Sequence, residues 1–189
     1  FVHLHLHSEY SLSDGIVRIE ELVSAAAAER MPAVALTDLA NLFGAVKFFQ
    51  KALKAGVQPI VGSDVWLENP ADRNKPYRLV LLCQNRQGYL NLNQLLTRAY
   101  AEGQHAGRPC IQSEWFTGHS DGLIALSGAL DGDIGQALVG GHADSAERLA
   151  REYQRWFPQR FYIELQRTGQ PLQEECVHAS VELAARTGL

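Results

Sequence analysis

An α/β fold, a largely parallel sheet with helices outside it, is what the sequence predicts. Short apolar runs alternate with segments whose apolar residues recur at helical spacing, as strand–helix units do. No internal repeat or low-complexity linker breaks the alternation. No GxGxxG or P-loop follows any strand, which weakens a nucleotide-binding open sheet. A (βα) barrel is then the economical closure, with an open doubly wound sheet as the alternative.

Val2–His7 reads as the first strand. His3, His5 and His7 stand at every second position, so a strand puts the three imidazoles on one face and Val2, Leu4 and Leu6 on the other. Ile19, Leu22, Val23 and Ala26 mark the inner face of a helix stopped by Arg30-Met31-Pro32. Ala33–Leu36 is a short buried strand. Asn41 caps the next helix, whose Leu42, Ala45, Val46, Phe49 and Leu53 share a face, and Gly56 closes it. Pro59–Leu67 and Arg78–Cys83 are strands separated by a polar turn at Asn69–Asn74. Gly88–Tyr100 is a helix presenting Tyr89, Leu92, Leu95, Leu96 and Ala99. Leu123–Leu126 is the fifth strand, followed by helices at Gly132–Val139 and Ala143–Phe157. Phe161–Leu165 is the sixth, and Pro171–Arg186 the last helix, ended by Gly188.

Six strands fall short of a normal closed (βα) barrel. There is no initiator Met, and Gly188-Leu189 falls where another strand would begin, so residues 1–189 are read as one domain from a larger protein. A formal charge of −4 with scattered Lys and Arg argues against a free-standing nucleic-acid binder. No apolar segment approaches a membrane span, and the His-rich start lacks a signal-peptide pattern. The three cysteines, Cys83, Cys110 and Cys176, form no CxxC pair, which fits a reducing, cytoplasmic setting.

The functional face of a (βα) barrel is the C-terminal end of its strands. His5 and His7 stand there on the first strand, Asp14 in the loop after it, Thr37-Asp38 on the second and Asp64 on the third. The fourth strand begins near Arg78, and the fifth ends in Ser127-Gly128-Ala129. Imidazole with carboxylate is a ligand set for Zn, Mn or Fe, and such ions can activate water and clamp a phosphate. The competing reading, histidines hydrogen-bonded in a polar core, weakens when HxH is followed by an Asp in the next loop.

These residues belong to longer motifs: His5-Leu6-His7-Ser8-Glu9-Tyr10-Ser11-Leu12-Ser13-Asp14-Gly15, then Thr37-Asp38 with Asn41-Leu42-Phe43-Gly44-Ala45-Val46, then Pro59-Ile60-Val61-Gly62-Ser63-Asp64, then Gly122–Gly128. In this order they resemble the N-terminal PHP (polymerase and histidinol phosphatase) domain of the bacterial DNA polymerase III α-subunit family, from Phe1 to Leu189. The resemblance implies a distorted, TIM-barrel-like (βα)7 barrel, here one strand and helix short. It also implies that His5, His7 and Asp14 fall on the first metal-ligand positions of metal-binding members. Leu39 stands where a His is usual, Asp64 where a Glu is usual, Arg78 in place of a His and Ala129 in place of a Cys; the last two positions would lie beyond Leu189.

Leu39 and Ala129 cannot ligate, and Arg78 puts a cation where a metal's charge would be. The pattern is therefore similar to the degenerate PHP domains of proteobacterial polymerases, which are scaffolds that dock a separate proofreading exonuclease subunit. The expectation is no tightly bound metal, at most one weak Zn or Mn at His5, His7, Asp14 and Asp64, with Mg reserved for the parent polymerase. Implied partners are the exonuclease subunit, the rest of the α subunit and, through the parent alone, DNA; a membrane is not among them. Two other readings compete: an active metal-dependent phosphoesterase that proofreads or hydrolyses pyrophosphate, and a small-substrate phosphatase of the histidinol phosphatase kind. Leu39, Arg78 and Ala129 count against the first, the polymerase-type motifs against the second.

Overall fold

The computed structural model describes residues 1–189 apart from the side chain of Ser13. Residues 1–7 run beside β1 (Ala33–Leu36), which reaches them through two backbone bonds, Ala35 N–H to the His3 carbonyl (2.8 Å) and Thr37 N–H to the Leu6 carbonyl (2.9 Å). The strand expected at Val2–His7 is thus not a full ladder strand. Leu6 N–H turns instead to the Thr37 hydroxyl oxygen at 2.8 Å. The shared face is also only partly kept. His5 and His7 lie together, ring centroids 5.3 Å apart, whereas His3 is exposed against Phe1.

A 3-10 segment, Glu9–Asp14, leads to α1 (Ile19–Ala28), which buries Ile19, Leu22, Val23 and Ala26 as their spacing predicts. After β1 comes α2 (Ala45–Lys54), whose inner face corrects the sequence reading. Ala45, Phe48 and Ala52 are buried, while Val46, Phe49 and Leu53 are exposed. Two apolar arcs compete on this helix, and the arc with two alanines flanking Phe48 is the one that packs.

The sheet has seven strands: β1, β2 (Gln58–Leu67), β3 (Tyr77–Cys83), β4 (Gln104–His105), β5 (Arg108–Ile111), β6 (Leu123–Leu126) and β7 (Phe161–Tyr162). Its order is β4-β5-β2-β3-β6-β7, with β1 on the first half of β2. It is mixed rather than largely parallel. β3 runs antiparallel to both β2 and β6, while the β1–β2, β2–β5 and β6–β7 pairs are parallel. The cause is visible in the chain: the polar turn after Leu67 contains no crossover helix, and a parallel neighbour needs one. Asn69 holds that turn, accepting from Ala71 N–H at 3.0 Å and donating to the Lys75 carbonyl at 3.0 Å. The short β4–β5 hairpin, Gln104–His105 and Arg108–Ile111, carries little apolar signal in the sequence.

Strand alternation sorts the sheet's two faces. Val65, Leu67, Leu79, Leu81, Leu123 and Ala125 enter the main core with α3 (Arg86–Glu102) and α5 (Ala143–Trp156). Val80, Leu82 and Leu126 form a small cluster on the other face. Asp64, Trp66 and Arg78 fall on that second face by the same period of two. The remaining helices, α4 (Asp133–Val139) and α6 (Gln173–Thr187), match their expected positions, and α6 ends at Gly188 with φ 74°.

At the start of α4, Asp133 is buried; it accepts from Tyr153 O–H (2.9 Å) and from Ile134 N–H (2.7 Å). Burial outweighs those bonds and pushes its carboxyl up from 3.8 to about 6. The native state therefore favours the protonated form, and this contribution to stability is lost as pH rises from 3.8 through about 6. Asp133→Asn is expected to stabilise the fold at neutral pH by on the order of 2 kcal/mol, with no gain in acid. Thermal melts of both proteins across that range read the difference. A gain of equal size in acid would contradict the assignment.

Candidate functional site

The motif residues that are not in the site hold the loop that builds it. Asp38, buried after β1, accepts from Ser8 N–H (2.7 Å), from the Ser8 hydroxyl (2.8 Å) and from the Ser11 hydroxyl (2.7 Å). Ser11 Oγ in turn accepts from Leu39 N–H at 3.0 Å, and Asn41 donates to the carbonyls of Tyr10 (3.0 Å) and Leu39 (2.9 Å). A buried carboxylate with three donors has its hydrogen-bonding demand met locally. Ser8 and Ser11 of the first motif and Asp38 of the second are thereby one unit, and the loop after His7 is tied to the end of β1.

Three of the predicted site residues meet on the carboxylate of a fourth. Asp64, fully buried on β2, accepts from His5 Nε2–H (2.9 Å), His7 Nε2–H (3.1 Å) and Arg78 Nε–H (3.0 Å to each oxygen). Arg78 Nη2 donates to Asp64 as well, and to Asp14 Oδ2 at 3.2 Å. His7 Nδ1 lies 3.3 Å from Asp14 Oδ2, so Asp14 closes the ring of charges at the exposed side. Gly128 keeps the neighbouring turn tight: its φ is 72°, and a Cβ there would stand 2.3 Å from the Arg78 carbonyl oxygen.

The remaining two positions singled out in the sequence do not contribute a side chain to this ring. Leu39 is joined to Asp64 by an isolated parallel bridge of the backbone. Ala129 is buried in a 3-10 turn with φ 47°. A residue overlooked in the sequence does contribute. Glu164, just past β7, accepts from His5 Nδ1–H at 2.7 Å and from Gln166 Nε2–H at 2.7 Å, and its own N–H donates to Ser127 Oγ at 3.0 Å. Its place near the end of the strand expected at Phe161–Leu165 is visible in the sequence, but its pairing with His5, 159 residues away, is not. His5 thus links the N-terminal segment to the strand at the far end of the sheet. These groups line a cavity of about 1430 Å³.

Charge, not exposure, governs the protonation states here. Burial alone would lower the His5 pKa, yet hydrogen bonds and attraction from Asp64 and Glu164 raise it from 6.5 to about 10. Burial would raise Asp64, but His5, His7 and Arg78 together hold it well below the usual carboxylate range. His5 is an imidazolium with both N–H groups in use. Its stabilising contribution is full below pH 6.5 and lost as pH rises from there through about 10. Glu164→Gln is expected to flatten this alkaline loss and to lower the His5 titration midpoint by at least about one unit, read by NMR of the ring protons. An unchanged midpoint would rule out Glu164 as a partner in the pair. Cys83, which also lines the cavity, has its thiol pushed up to about 12 by burial and is inert as a nucleophile.

His5, His7 and Asp64 each offer a ligand atom within 4.8 Å of one another, the donor set of a single metal ion. Fitting one would require the His5 proton to leave and Arg78 to yield Asp64, whose two oxygens it occupies. The residues present therefore fit at most one ion, in competition with their own cations, and do not fit a multinuclear cluster. Glu164 Oε2 is buried without a hydrogen-bond partner among the described residues.

The mixed sheet thus gathers imidazoles, carboxylates and an arginine on one face. The family described as "PHP domain" matches residues 3–168, and the chain belongs to it. Among relatives, it is 48% identical over 188 residues to the DNA polymerase III subunit alpha of Pseudomonas fluorescens and 42% identical over 189 residues to that of Escherichia coli. Each alignment covers 100% of this chain and 16% of the relative, so the chain spans about a sixth of their length. A solved amidohydrolase from Chromobacterium violaceum, with bound sulfate and no metal, shares the fold at TM-score 0.63 and 18% identity, covering 100% of this chain and 84% of the other. No helix among the described residues is long and apolar enough to cross a membrane.

Proposed function

We propose that residues 1–189 are the N-terminal PHP domain of a bacterial replicative DNA polymerase α subunit acting in DNA replication in the cytoplasm. Nucleotidyl transfer, its Mg and the contact with DNA belong to other parts of that polypeptide. Within it the domain is a non-catalytic structural module that docks the proofreading exonuclease subunit. The observation that carries the non-catalytic reading is the Arg78 guanidinium bonded to both oxygens of Asp64 and to Asp14. A permanent cation there satisfies the carboxylates that a dication would otherwise claim. The docking half is supported by the resemblance to proteobacterial polymerase PHP domains.

The alternative, a metal-dependent phosphoesterase, draws on the same His5–His7–Asp64 trio. The two part in one experiment. The chain is incubated with Zn²⁺ or Mn²⁺, desalted, and assayed for metal content and for hydrolysis of p-nitrophenyl phosphate and of a DNA 3′ end. The expected result is far less than one equivalent of metal and no turnover. Stoichiometric metal, with turnover abolished in His5→Ala/His7→Ala, would establish the phosphoesterase instead. Co-elution with purified exonuclease subunit in gel filtration tests docking, and separate elution at micromolar concentration would remove it.

A further inference from the structure

Arg78 is held from two sides, and only one of them is acidic. Its Cζ lies 4.5 Å from the centroid of the Trp66 ring. Trp66 is the residue directly opposite it in the β2–β3 register. Asp64 is two residues before Trp66 on the same strand and so shares its face. Arg108 approaches the same ring from β5, at 5.2 Å, and is tied by Nη1–H to the Asn74 carbonyl at 3.0 Å. We infer that Trp66 is a positioning residue for Arg78, whose stacking keeps the guanidinium over Asp64 and so keeps metal ions out of the His5–His7–Asp64 cluster. This deepens the reading that Arg78 stands in for a metal's charge and rests on it.

The geometry suits the two partners. A guanidinium is planar and delocalised, so an indole can take its face while its N–H edge stays free for carboxylates. Nε and Nη2 both point to acids here, and the indole covers a flat face that those in-plane bonds leave open. Arginine also has many rotamers, and Asp14, its second acid, is half exposed. Without the ring, Arg78 can follow Asp14 outward and uncover Asp64. With the ring, the guanidinium is confined to the one arrangement in which it blocks both Asp64 oxygens.

The test titrates the 189-residue chain with Mn²⁺ alone, free ion counted by electron paramagnetic resonance, and with Zn²⁺ alone against a chromophoric chelator. Trp66→Leu is expected to bind either ion about three- to tenfold more tightly than the wild type, the factor that a cation–π contact of this kind represents. Trp66→Phe, which keeps an aromatic face, should stay near the wild type. In an Arg78→Ala background Trp66→Leu should change nothing further, and adding His5→Ala to Trp66→Leu should abolish the gain. Should Trp66→Leu fail to fold by circular dichroism, Trp66→Met carries the same expectation. A folded variant with wild-type affinity, or a Phe variant as tight as the Leu one, overturns the inference. If Arg78→Ala itself binds no more tightly than the wild type, it is the underlying reading of Arg78 that falls.

Discussion

Asp64→Ala is expected to destabilise the domain by about 3–5 kcal/mol, the loss that follows when one partner of a buried ion network is removed. Three groups converge on this carboxylate, and it is wholly buried. Removing it leaves the His5 imidazolium and the Arg78 guanidinium facing each other across a cavity, with Glu164 and Asp14 at the edges to compensate only in part. Such a loss is a large share of the roughly 5–15 kcal/mol by which domains are typically stable. Asp64→Asn keeps the shape and the acceptor but not the charge, and should fall between the two. Urea unfolding at neutral pH measures all three, with the slope checked for constancy. A loss under about 1 kcal/mol would place the structural centre of the domain elsewhere, since exposed ion pairs reach that much.

The residues of this network were legible in the sequence because their signal is local. His5 and His7 are spaced for one face, Asp14 sits in the loop that follows, and Asp64 and Arg78 flank apolar runs that can only be strands. What was not legible is what depends on neighbours far along the chain. β3 was placed as a strand, yet its direction follows from the absence of a helix between Leu67 and Tyr77, a connection whose meaning appears only when the two strands are paired. On α2 both apolar arcs satisfy helical spacing, and the choice of Phe48 over Phe49 is made by the surface it meets. Glu164 lies 159 residues from His5 and is joined to it only by the curl of the sheet. Leu39 and Ala129 illustrate the reverse limit. Their side chains carry no ligand atom, but the backbone bridge from Leu39 to Asp64 cannot be read from a side chain.

Arg78→His should make the stability of the domain depend on metal. In the wild type, Zn²⁺ at tens of micromolar is expected to leave the melting temperature unchanged, because Arg78 and the His5 proton already balance Asp64. In the variant, the guanidinium bonds to Asp64 and Asp14 are gone, and stability without metal should fall by about 3 kcal/mol, the lower end of the cost of breaking a buried pair. The new imidazole brings the local donors to three histidines and a carboxylate, the number that Zn²⁺ takes in structural sites. Ion bound to the native state alone then restores stability by mass action, about 2.7 kcal/mol at a hundredfold excess over the dissociation constant. Leu39→His would be the next addition, since its backbone already adjoins Asp64. Ala129→Cys ranks last, because Ala129 is buried and a thiol would add volume to a packed site. The measurement is a pair of thermal melts, with and without Zn²⁺, for wild type and variant. Equal response in both proteins would mean that Arg78 does not hold the place of a metal; no response in either would mean that the cluster cannot accept one even when the cation has gone.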